Sequence, residues 1–255
     1  AESSVGFDLE DRPAELEELA AVSESVGAPV LVNVDARRGE GGIFKSSVLV
    51  DSSGVVDRYD KRRLVPFGEY IPARPLLGWM ADLTDAAEED RRRGSGLVVM
   101  DVEVDSPGGR NAEDGSGGST ATVGVGPLVC FESAFPDLSR KLAGMGADLV
   151  VPQTATTTFQ GSWAQDQHAS LAAVRAVEVG RPVVHSAVSG VTAVFDAEGR
   201  ELFRMDSGET GTWVVDVPLM SGTTPYVRWG DWLPVVCVLV LVASAMAAGL
   251  RAARR

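Results

Sequence analysis

Residues 59–70 read YDKRRLVPFGEY and place Lys61 eight positions before Glu69. An apolar LVPFG turn, following a strand-like run, separates the two residues. An apolar frame around one ammonium and one carboxylate suits a site in which both groups are partly desolvated and fixed. The stretch therefore predicts that Lys61 and Glu69 point inward, while Arg62 and Arg63 point to solvent. Taken singly, Lys61 would be a solvated side chain and Glu69 an ordinary ion-pair partner.

A second apolar strand ends in a thiol. Residues 127–133 read PLVCFES, in which Cys130 is followed by Phe131 and Glu132. A cysteine at the end of an apolar strand is commonly an inert, buried filler. Close to the ammonium of Lys61, the same thiol would ionise more readily and could attack an acyl carbonyl. Lys61 and the backbone N–H of Phe131 would then stabilise the oxyanion, so the pattern favours acyl transfer through a thioester.

The composition predicts one large α/β domain, because the chain has 255 residues, 45% of them hydrophobic and 23% charged. A formal net charge of −13 argues against nucleic acid as a partner, because the phosphate backbone would be repelled. The two cysteines, Cys130 and Cys237, lie in different contexts and do not suggest a disulfide framework. The sequence shows no zinc, P-loop or dinucleotide motif, so we expect no metal and no cofactor. His168 and His185 lack metal-ligand spacing and are expected to be structural.

Periodicity divides residues 1–220 into helices and strands. Helical spacing occupies 13–27, 136–145 and 165–180. Strand patterns occupy 28–36, 45–50, 54–59, 96–104, 122–131, 147–152, 182–186, 191–196, 201–204 and 213–217. We predict a layered α/β domain whose apolar strands are buried on both faces. A segment at 106–121, rich in glycine, serine and aspartate, is expected to be a flexible insertion.

The end of the chain predicts a membrane anchor. Residues 233–250 read LPVVCVLVLVASAMAAGL, an uncharged run that spans about 27 Å as a helix. Tryptophans precede it and arginines follow it, as is typical of a transmembrane helix rather than a buried core helix. We expect a linker at 221–232, a transmembrane helix at 233–250 and a basic cytoplasmic tail at 251–255. The positive-inside rule then places the acidic domain on the outer face of the membrane.

Several of these segments resemble apolipoprotein N-acyltransferases, a membrane family within the nitrilase, or carbon–nitrogen hydrolase, superfamily. The resembling segments are YDKRRLVPFGEYIP, VCFES, VRAVEVGRPVVHSAVSGVTAVFDAEGR and TTPYVRWGDW followed by an apolar helix. The resemblance covers nearly the whole chain apart from 106–121. It implies a nitrilase-like αββα sandwich followed by one transmembrane helix. It also implies an enzyme of the bacterial inner membrane that works as a monomer.

The resemblance implies a Glu–Lys–Cys triad and a reaction for it. In this sequence the triad would be Glu2 as general base, Lys61, and Cys130 as nucleophile, with Glu69 and Glu132 as supporting carboxylates. By itself Glu2 would be a frayed terminal residue. The implied reaction takes an acyl chain from a phospholipid through a cysteine thioester. The acceptor is the N-terminal amine of a diacylglyceryl-cysteine apolipoprotein.

The sequence departs from the family pattern near its start. The residue before Glu2 is alanine where the family has proline, and the family's preceding strands and transmembrane helices are not in the sequence. We therefore expect this chain to be the C-terminal part of the enzyme, with an N-terminally incomplete sandwich. Two alternatives stay open: a nitrilase-type amidase that hydrolyses a small carbon–nitrogen substrate, and an inactive membrane-tethered fragment.

Overall fold

The computed structural model describes residues 1–79, 89–105 and 120–252. The helices of this part are α1 (Pro13–Val26), α2 (Arg74–Leu77), α3 (Pro136–Gly144), α4 (Ala164–Val179), α5 (Pro225–Trp229) and α6 (Trp232–Ala252). The strands are β1 (Val30–Arg37), β2 (Ile43–Asp51), β3 (Gly54–Asp60), β4 (Met100–Asp105), β5 (Thr120–Val129), β6 (Leu149–Thr154), β7 (Val183–Ala187), β8 (Thr192–Phe195) and β9 (Glu201–Met205). The predicted insertion at 106–121 lies outside the described residues, except for the two positions that begin β5.

The first sheet is antiparallel, in the order β1-β2-β3. Its side chains alternate between two buried faces, as the period of a strand requires. Val32 pairs with Val48, and both pack in the core cluster that includes residues of α1. Leu31 pairs with Leu49 one position away, and both belong to the cluster shared with the other sheet.

The second sheet follows the order β4-β5-β6-β7-β8-β9. The pairs β5–β6 and β6–β7 are parallel, whereas the outer pairs are antiparallel. Because parallel strands end at the same edge of a sheet, the residues that follow β5, β6 and β7 lie close together. Cys130 is the first residue after β5, so the topology places it beside the residues that follow Thr154 of β6.

Three hydrophobic clusters in the described part of the chain show four layers in the order α1, first sheet, second sheet, α3 and α4. Leu128 of β5 packs with Leu138 of α3 and Ala172 of α4 on the outer side of the second sheet. Its neighbour Val129 faces the first sheet and packs near Tyr59. The predicted αββα sandwich, with apolar strands buried on both faces, is confirmed.

The predicted strand at 213–217 is wrong, since these residues form no strand in the structure. The segment crosses the face of β7, β8 and β9 instead of pairing at an edge, and it lines a cavity of about 410 Å³ there. Trp213 lies against Phe203 of β9 with ring centroids 5.4 Å apart. Trp213, Val215 and Val217 of this segment therefore line the cavity without forming a hydrogen-bonded ladder.

The predicted helix at 233–250 forms α6, which is long and apolar enough to cross a membrane, with a mean hydropathy of 2.5. Its apolar side chains are exposed rather than packed on the domain. The residues before it are fixed to the domain: Thr224 Oγ1 donates to the carbonyl of Glu178 at 2.6 Å, and Arg140 Nε donates to the carbonyl of Tyr226 at 2.9 Å. α5 therefore lies against the outer helical layer just before α6 begins.

Candidate active site

The backbone turns sharply at Cys130. Strand β5 ends at Val129, and residues Cys130–Ala134 form a 3-10 helix. Cys130 has a φ of +49°, a conformation that costs a non-glycine residue on the order of 1–3 kcal/mol. Ser133 Oγ donates to the Cys130 carbonyl at 2.9 Å, and His168 Nε2 lies 3.3 Å from the same oxygen. These contacts hold the strained turn, and backbone strain of this kind is often found at functional sites.

Lys61 points inward, directly after β3. Its side chain is fully buried, and its Nζ donates to Glu69 Oε1 at 2.7 Å. The other carboxylate oxygen of Glu69 accepts a hydrogen bond from the backbone N–H of Val65 at 2.8 Å. The turn between the lysine and the glutamate is thus folded around the carboxylate that holds the ammonium.

Glu2 is buried at the same place, although it lies next to the first residue of the chain. Its Oε1 is 3.8 Å from Lys61 Nζ and 2.7 Å from Lys45 Nζ. Its Oε2 accepts a hydrogen bond from the backbone N–H of Ala155 at 3.0 Å, just beyond the end of β6. The carbonyl of Ala155 lies 3.9 Å from the sulfur of Cys130. The structure therefore brings Glu2, Lys61 and Cys130 together.

Sequence reasoning missed Lys45. It lies in β2 on the same face as Ser47, whose hydroxyl donates to Gln153 Oε1 of the second sheet at 2.6 Å. Besides Glu2, its ammonium contacts Glu69 at 3.3 Å. A lysine within an apolar strand becomes a signal only when the strand register shows that it faces inward, because lysines are almost never buried without a partner.

The electrostatics of the site move the pKa values of Cys130 and Glu2 in opposite directions. Burial and the Glu2 carboxylate raise the pKa of Cys130 to about 12, against the opposing effect of Lys61. Burial also acts to raise the pKa of Glu2, but the ammonium groups of Lys61 and Lys45 outweigh it and hold that pKa below its ordinary value. At neutral pH the thiol is therefore protonated and the carboxylate beside it is ionised. This arrangement suits proton transfer from Cys130 to Glu2 when a carbonyl is attacked.

Glu132 joins two segments of the backbone. It is fully buried, and it accepts four hydrogen bonds. The donors are the hydroxyl of Tyr59 and the backbone N–H groups of Arg62, Arg63 and Val129, at 2.8, 2.8, 3.0 and 2.9 Å. Burial raises the pKa of Glu132, with the hydrogen bonds acting in the opposite direction. Glu132 thus ties the loop that carries Lys61 to the turn that carries Cys130.

The two histidines lie behind the cysteine turn. The rings of His168 and His185 meet edge to face with centroids 5.2 Å apart. Burial lowers the pKa of His185 to about 3, and its Nδ1 lies 2.9 Å from the carbonyl of Val191. Among the described residues, histidine, cysteine, aspartate and glutamate side chains form no cluster of three or more that could hold a metal ion.

Comparison with known proteins identifies the family. Residues 7–224 match the carbon–nitrogen hydrolase family. The chain belongs to that family. The match includes Lys61, Glu69 and Cys130 and begins after Glu2. The position of Glu2 in the site therefore comes from the geometry described above.

Relatives of this chain carry the name apolipoprotein N-acyltransferase. One from Bordetella bronchiseptica is 32% identical over 200 residues, covering 76% of this chain and 33% of the relative. One from Geobacter metallireducens is 30% identical over 241 residues, covering 93% of this chain and 43% of the relative. The chain thus spans less than half the length of either relative.

A solved structure shows the same fold. An amidase from Nesterenkonia sp. AN1, with acrylamide added to its active-site cysteine, superposes with a TM-score of 0.55. It is 21% identical in sequence, and the superposition covers 82% of this chain and 70% of the amidase. At this level of identity the similarity is one of fold.

Proposed function

We propose that this chain carries the catalytic domain of an apolipoprotein N-acyltransferase. The reaction moves a fatty acyl chain from a phospholipid to the N-terminal amine of a diacylglyceryl-cysteine apolipoprotein. One observation supports it above all: the same chain joins a buried thiol, carboxylate and ammonium to an exposed apolar helix of membrane-spanning length. Both proposed substrates are held in a bilayer, so a site tethered to its surface can reach them.

In the first step Cys130 is acylated. Glu2 takes the thiol proton as the sulfur attacks the ester carbonyl of the phospholipid, and a C–S bond forms. Lys61 and the backbone N–H of Phe131 stabilise the oxyanion of the tetrahedral intermediate. The C–O bond then breaks, and the lysophospholipid oxygen leaves with the proton from Glu2. The enzyme is left as a thioester.

In the second step the thioester is transferred to nitrogen. The α-amine of the apolipoprotein attacks the thioester carbonyl, and Glu2 accepts a proton from the amine as the C–N bond forms. The same oxyanion donors act again. The C–S bond breaks, and the thiolate of Cys130 takes the proton back from Glu2. The products are an amide and the free enzyme.

The proposal includes the placement of the chain. Residues 1–220 form the catalytic domain on the outer face of a bacterial inner membrane, 221–232 a linker, 233–250 the transmembrane helix and 251–255 a cytoplasmic tail. The enzyme acts as a monomer, since both substrates meet one site. The fixing of α5 against α3 and α4 supports this arrangement, because it sets the direction in which α6 leaves the domain.

An amidase is the second candidate, and the fold shared with the Nesterenkonia amidase favours it. The same thiol, base and ammonium would hydrolyse an amide if water replaced the acceptor amine. The exposed apolar α6 has no part in such a reaction on a small soluble substrate. This difference makes the acyltransferase the better-supported function.

A product assay separates the two functions. The chain is incubated in detergent with phospholipid and a synthetic diacylglyceryl-cysteine peptide, and separately with small aliphatic amides. We expect the peptide to gain one acyl chain by mass spectrometry, with release of lysophospholipid. Cys130→Ser should abolish this product, whereas Cys237→Ser should retain it because Cys237 lies in α6. Amide hydrolysis without peptide acylation would establish the amidase, and neither activity would refute both functions for this chain.

A further inference from the structure

Two carboxylates and two ammonium groups alternate in a closed ring at the site. Lys45 Nζ lies 2.7 Å from Glu2 Oε1 and 3.3 Å from Glu69 Oε1. On the other side of the ring, Lys61 Nζ lies 2.7 Å from Glu69 Oε1 and 3.8 Å from Glu2 Oε1. Both lysines therefore contact both carboxylates, and Lys45 makes the closer contact with Glu2.

The charges of the ring balance only when Lys45 is counted. Without it, Glu2 and Glu69 would share the single ammonium of Lys61 inside a buried site. Two like charges in such a place raise the pKa of one of them. Asp35, which lies 3.7 Å from Lys45 Nζ, is also paired with Arg91 at 3.3 Å. The charge of Lys45 is therefore directed mainly to the two glutamates.

The backbone keeps the two lysines together. The backbone N–H of Lys61 donates to the carbonyl of Lys45 at 2.8 Å. Lys45 in β2 and Lys61 at the end of β3 are therefore direct neighbours, and their side chains start close together. The Lys45 side chain is only 13% exposed. An exposed ion pair at this site would be weak and screened, whereas a buried one acts strongly on the ionisation of its partner.

We infer that Lys45 is a positioning residue for the reaction: it keeps Glu2 ionised as the base for Cys130 and leaves Lys61 free to serve the oxyanion. The inference rests on the proposed function, in which Glu2 is the base. Held between Lys45 at one oxygen and the N–H of Ala155 at the other, the Glu2 carboxylate has a fixed plane as well as a fixed charge. Lys45 touches neither the thiol nor the acyl group in this scheme.

Other charged and titratable groups also act on Glu2. They are Lys61 after β3, the thiol of Cys130 after β5 and His168 of α4. Of the cationic side chains, Lys45 alone among the described residues donates a hydrogen bond to Glu2. Its removal should therefore take away both a hydrogen bond and a positive charge that favour the ionised Glu2 carboxylate, while the charge of Lys61 continues to act on it.

The test measures Cys130 reactivity directly, so it does not depend on the lipid substrates. The full chain carrying Cys237→Ser is alkylated with acrylamide in detergent, and the rate is followed by intact mass across a range of pH. Variants with Lys45→Met, Lys45→Arg and Glu2→Gln are compared with Lys141→Met, which removes a surface lysine paired with Asp137. Thermal unfolding checks that each variant is folded, and Lys45→Gln replaces Lys45→Met if the latter does not fold.

We expect the alkylation rate of the parent, the chain carrying Cys237→Ser, to fall at acid pH as the Glu2 carboxylate becomes protonated. Glu2→Gln should abolish this acidic limb of the rate profile. Lys45→Met should move this limb to higher pH by about 1 to 3 units, because a cation within hydrogen-bonding distance lowers the pKa of a carboxyl by that amount. Lys45→Arg should move it less, and Lys141→Met should superimpose on the parent. A limb unchanged by Lys45→Met, or moved equally by Lys45→Arg, would overturn the inference and leave the proposed function standing. An acidic limb that Glu2→Gln leaves unchanged would show that Glu2 is not the base for Cys130. That result would contradict both the inference about Lys45 and the proposed reaction.

Discussion

The hydroxyl of Tyr59 donates to Glu132 Oε1 at 2.8 Å, from the end of β3 to the turn that follows β5. Both residues are fully buried, and they join the two sheets of the sandwich beside the site. The burial of Tyr59 and the negative charge of Glu132 raise the pKa of the tyrosine, so it remains a hydrogen-bond donor at neutral pH. Together with the backbone N–H groups of Arg62, Arg63 and Val129, this contact ties the loop that carries Lys61 to the turn that carries Cys130.

Glu132→Gln should lower the free energy of unfolding by at least about 2 kcal/mol. A buried carboxylate that accepts several hydrogen bonds contributes strongly, and the amide nitrogen of glutamine would face N–H groups. Tyr59→Phe removes one of the four bonds and should cost about 1 kcal/mol. Thermal or denaturant unfolding in detergent measures both. Equal stability of Glu132→Gln and the parent would show that the contact is not needed for the fold.

Lys61→Met should slow the acylation of Cys130 by about 100- to 1000-fold, because one oxyanion donor is lost. Lys61→Arg keeps the charge but changes its geometry, so we expect a partial loss. The surface variant Lys141→Met serves as the control. The rate of lysophospholipid release measures the effect. A change smaller than about tenfold in a folded Lys61→Met variant would contradict the role of Lys61 in this account.

The buried pair of Asp8 and Arg58 should make stability depend on acid pH. Arg58 contacts both oxygens of Asp8, at 2.8 and 2.9 Å. Burial acts to raise the pKa of Asp8, but the hydrogen bonds and charge of Arg58 lower it below the unfolded value of about 3.9. The stabilisation is therefore complete above the unfolded value and is lost as the pH falls through the lower, folded one.

Asp8→Asn tests this dependence. We expect it to reduce stability by about 1.5–3 kcal/mol at neutral pH and to have little effect in strong acid, because the parent carboxylate is then protonated. Unfolding free energies measured across the acid range report the difference. Asp11→Asn, at an exposed position nearby, is the matched control. A difference that stays constant with pH would exclude a contribution from the ionised carboxylate.

Arg181 should hold the segment before α5 against the domain. Its Nε donates to the carbonyl of Ala147 and its Nη2 to the carbonyl of Gly222, each at 2.9 Å. Arg181→Ala should accelerate limited proteolysis within residues 206–224, because the segment loses its link to the sandwich. Arg200→Ala, whose side chain is 73% exposed, should leave the cleavage rate unchanged. Equal rates for Arg181→Ala and the parent would contradict this role.

The sequence pattern predicted the layers of the fold because apolar residues alternate along strands that are buried on both faces. Residues 30–34 and 48–50 are apolar at nearly every position. Most of their side chains are divided between the two hydrophobic clusters that lie on either side of the first sheet. The pattern failed at 213–217. The alternating apolar residues there pack across the face of a sheet. A strand pattern in the sequence does not distinguish such packing from pairing at the edge of a sheet.

The site was only partly predictable from local sequence. Lys61 and Glu69 lie close in sequence, so their turn already indicates a shared contact. Glu2 reaches the site through the tertiary fold, and only the resemblance to the family predicts a role for it. The inward position of Lys45 depends on the register between β1 and β2, because the register decides the face of the sheet on which its side chain lies. The positive φ of Cys130 has no sequence signal either, because the turn contains no glycine at that position.

The most direct test of a thioester on Cys130 is the intact mass of the chain after incubation with phospholipid in detergent. Wild type and Cys237→Ser should each gain one acyl chain that hydroxylamine removes, as expected of a thioester. Cys130→Ser should gain no such adduct. An adduct of the same mass and lability on Cys130→Ser, or its absence from wild type that still acylates the peptide, would contradict a thioester on Cys130.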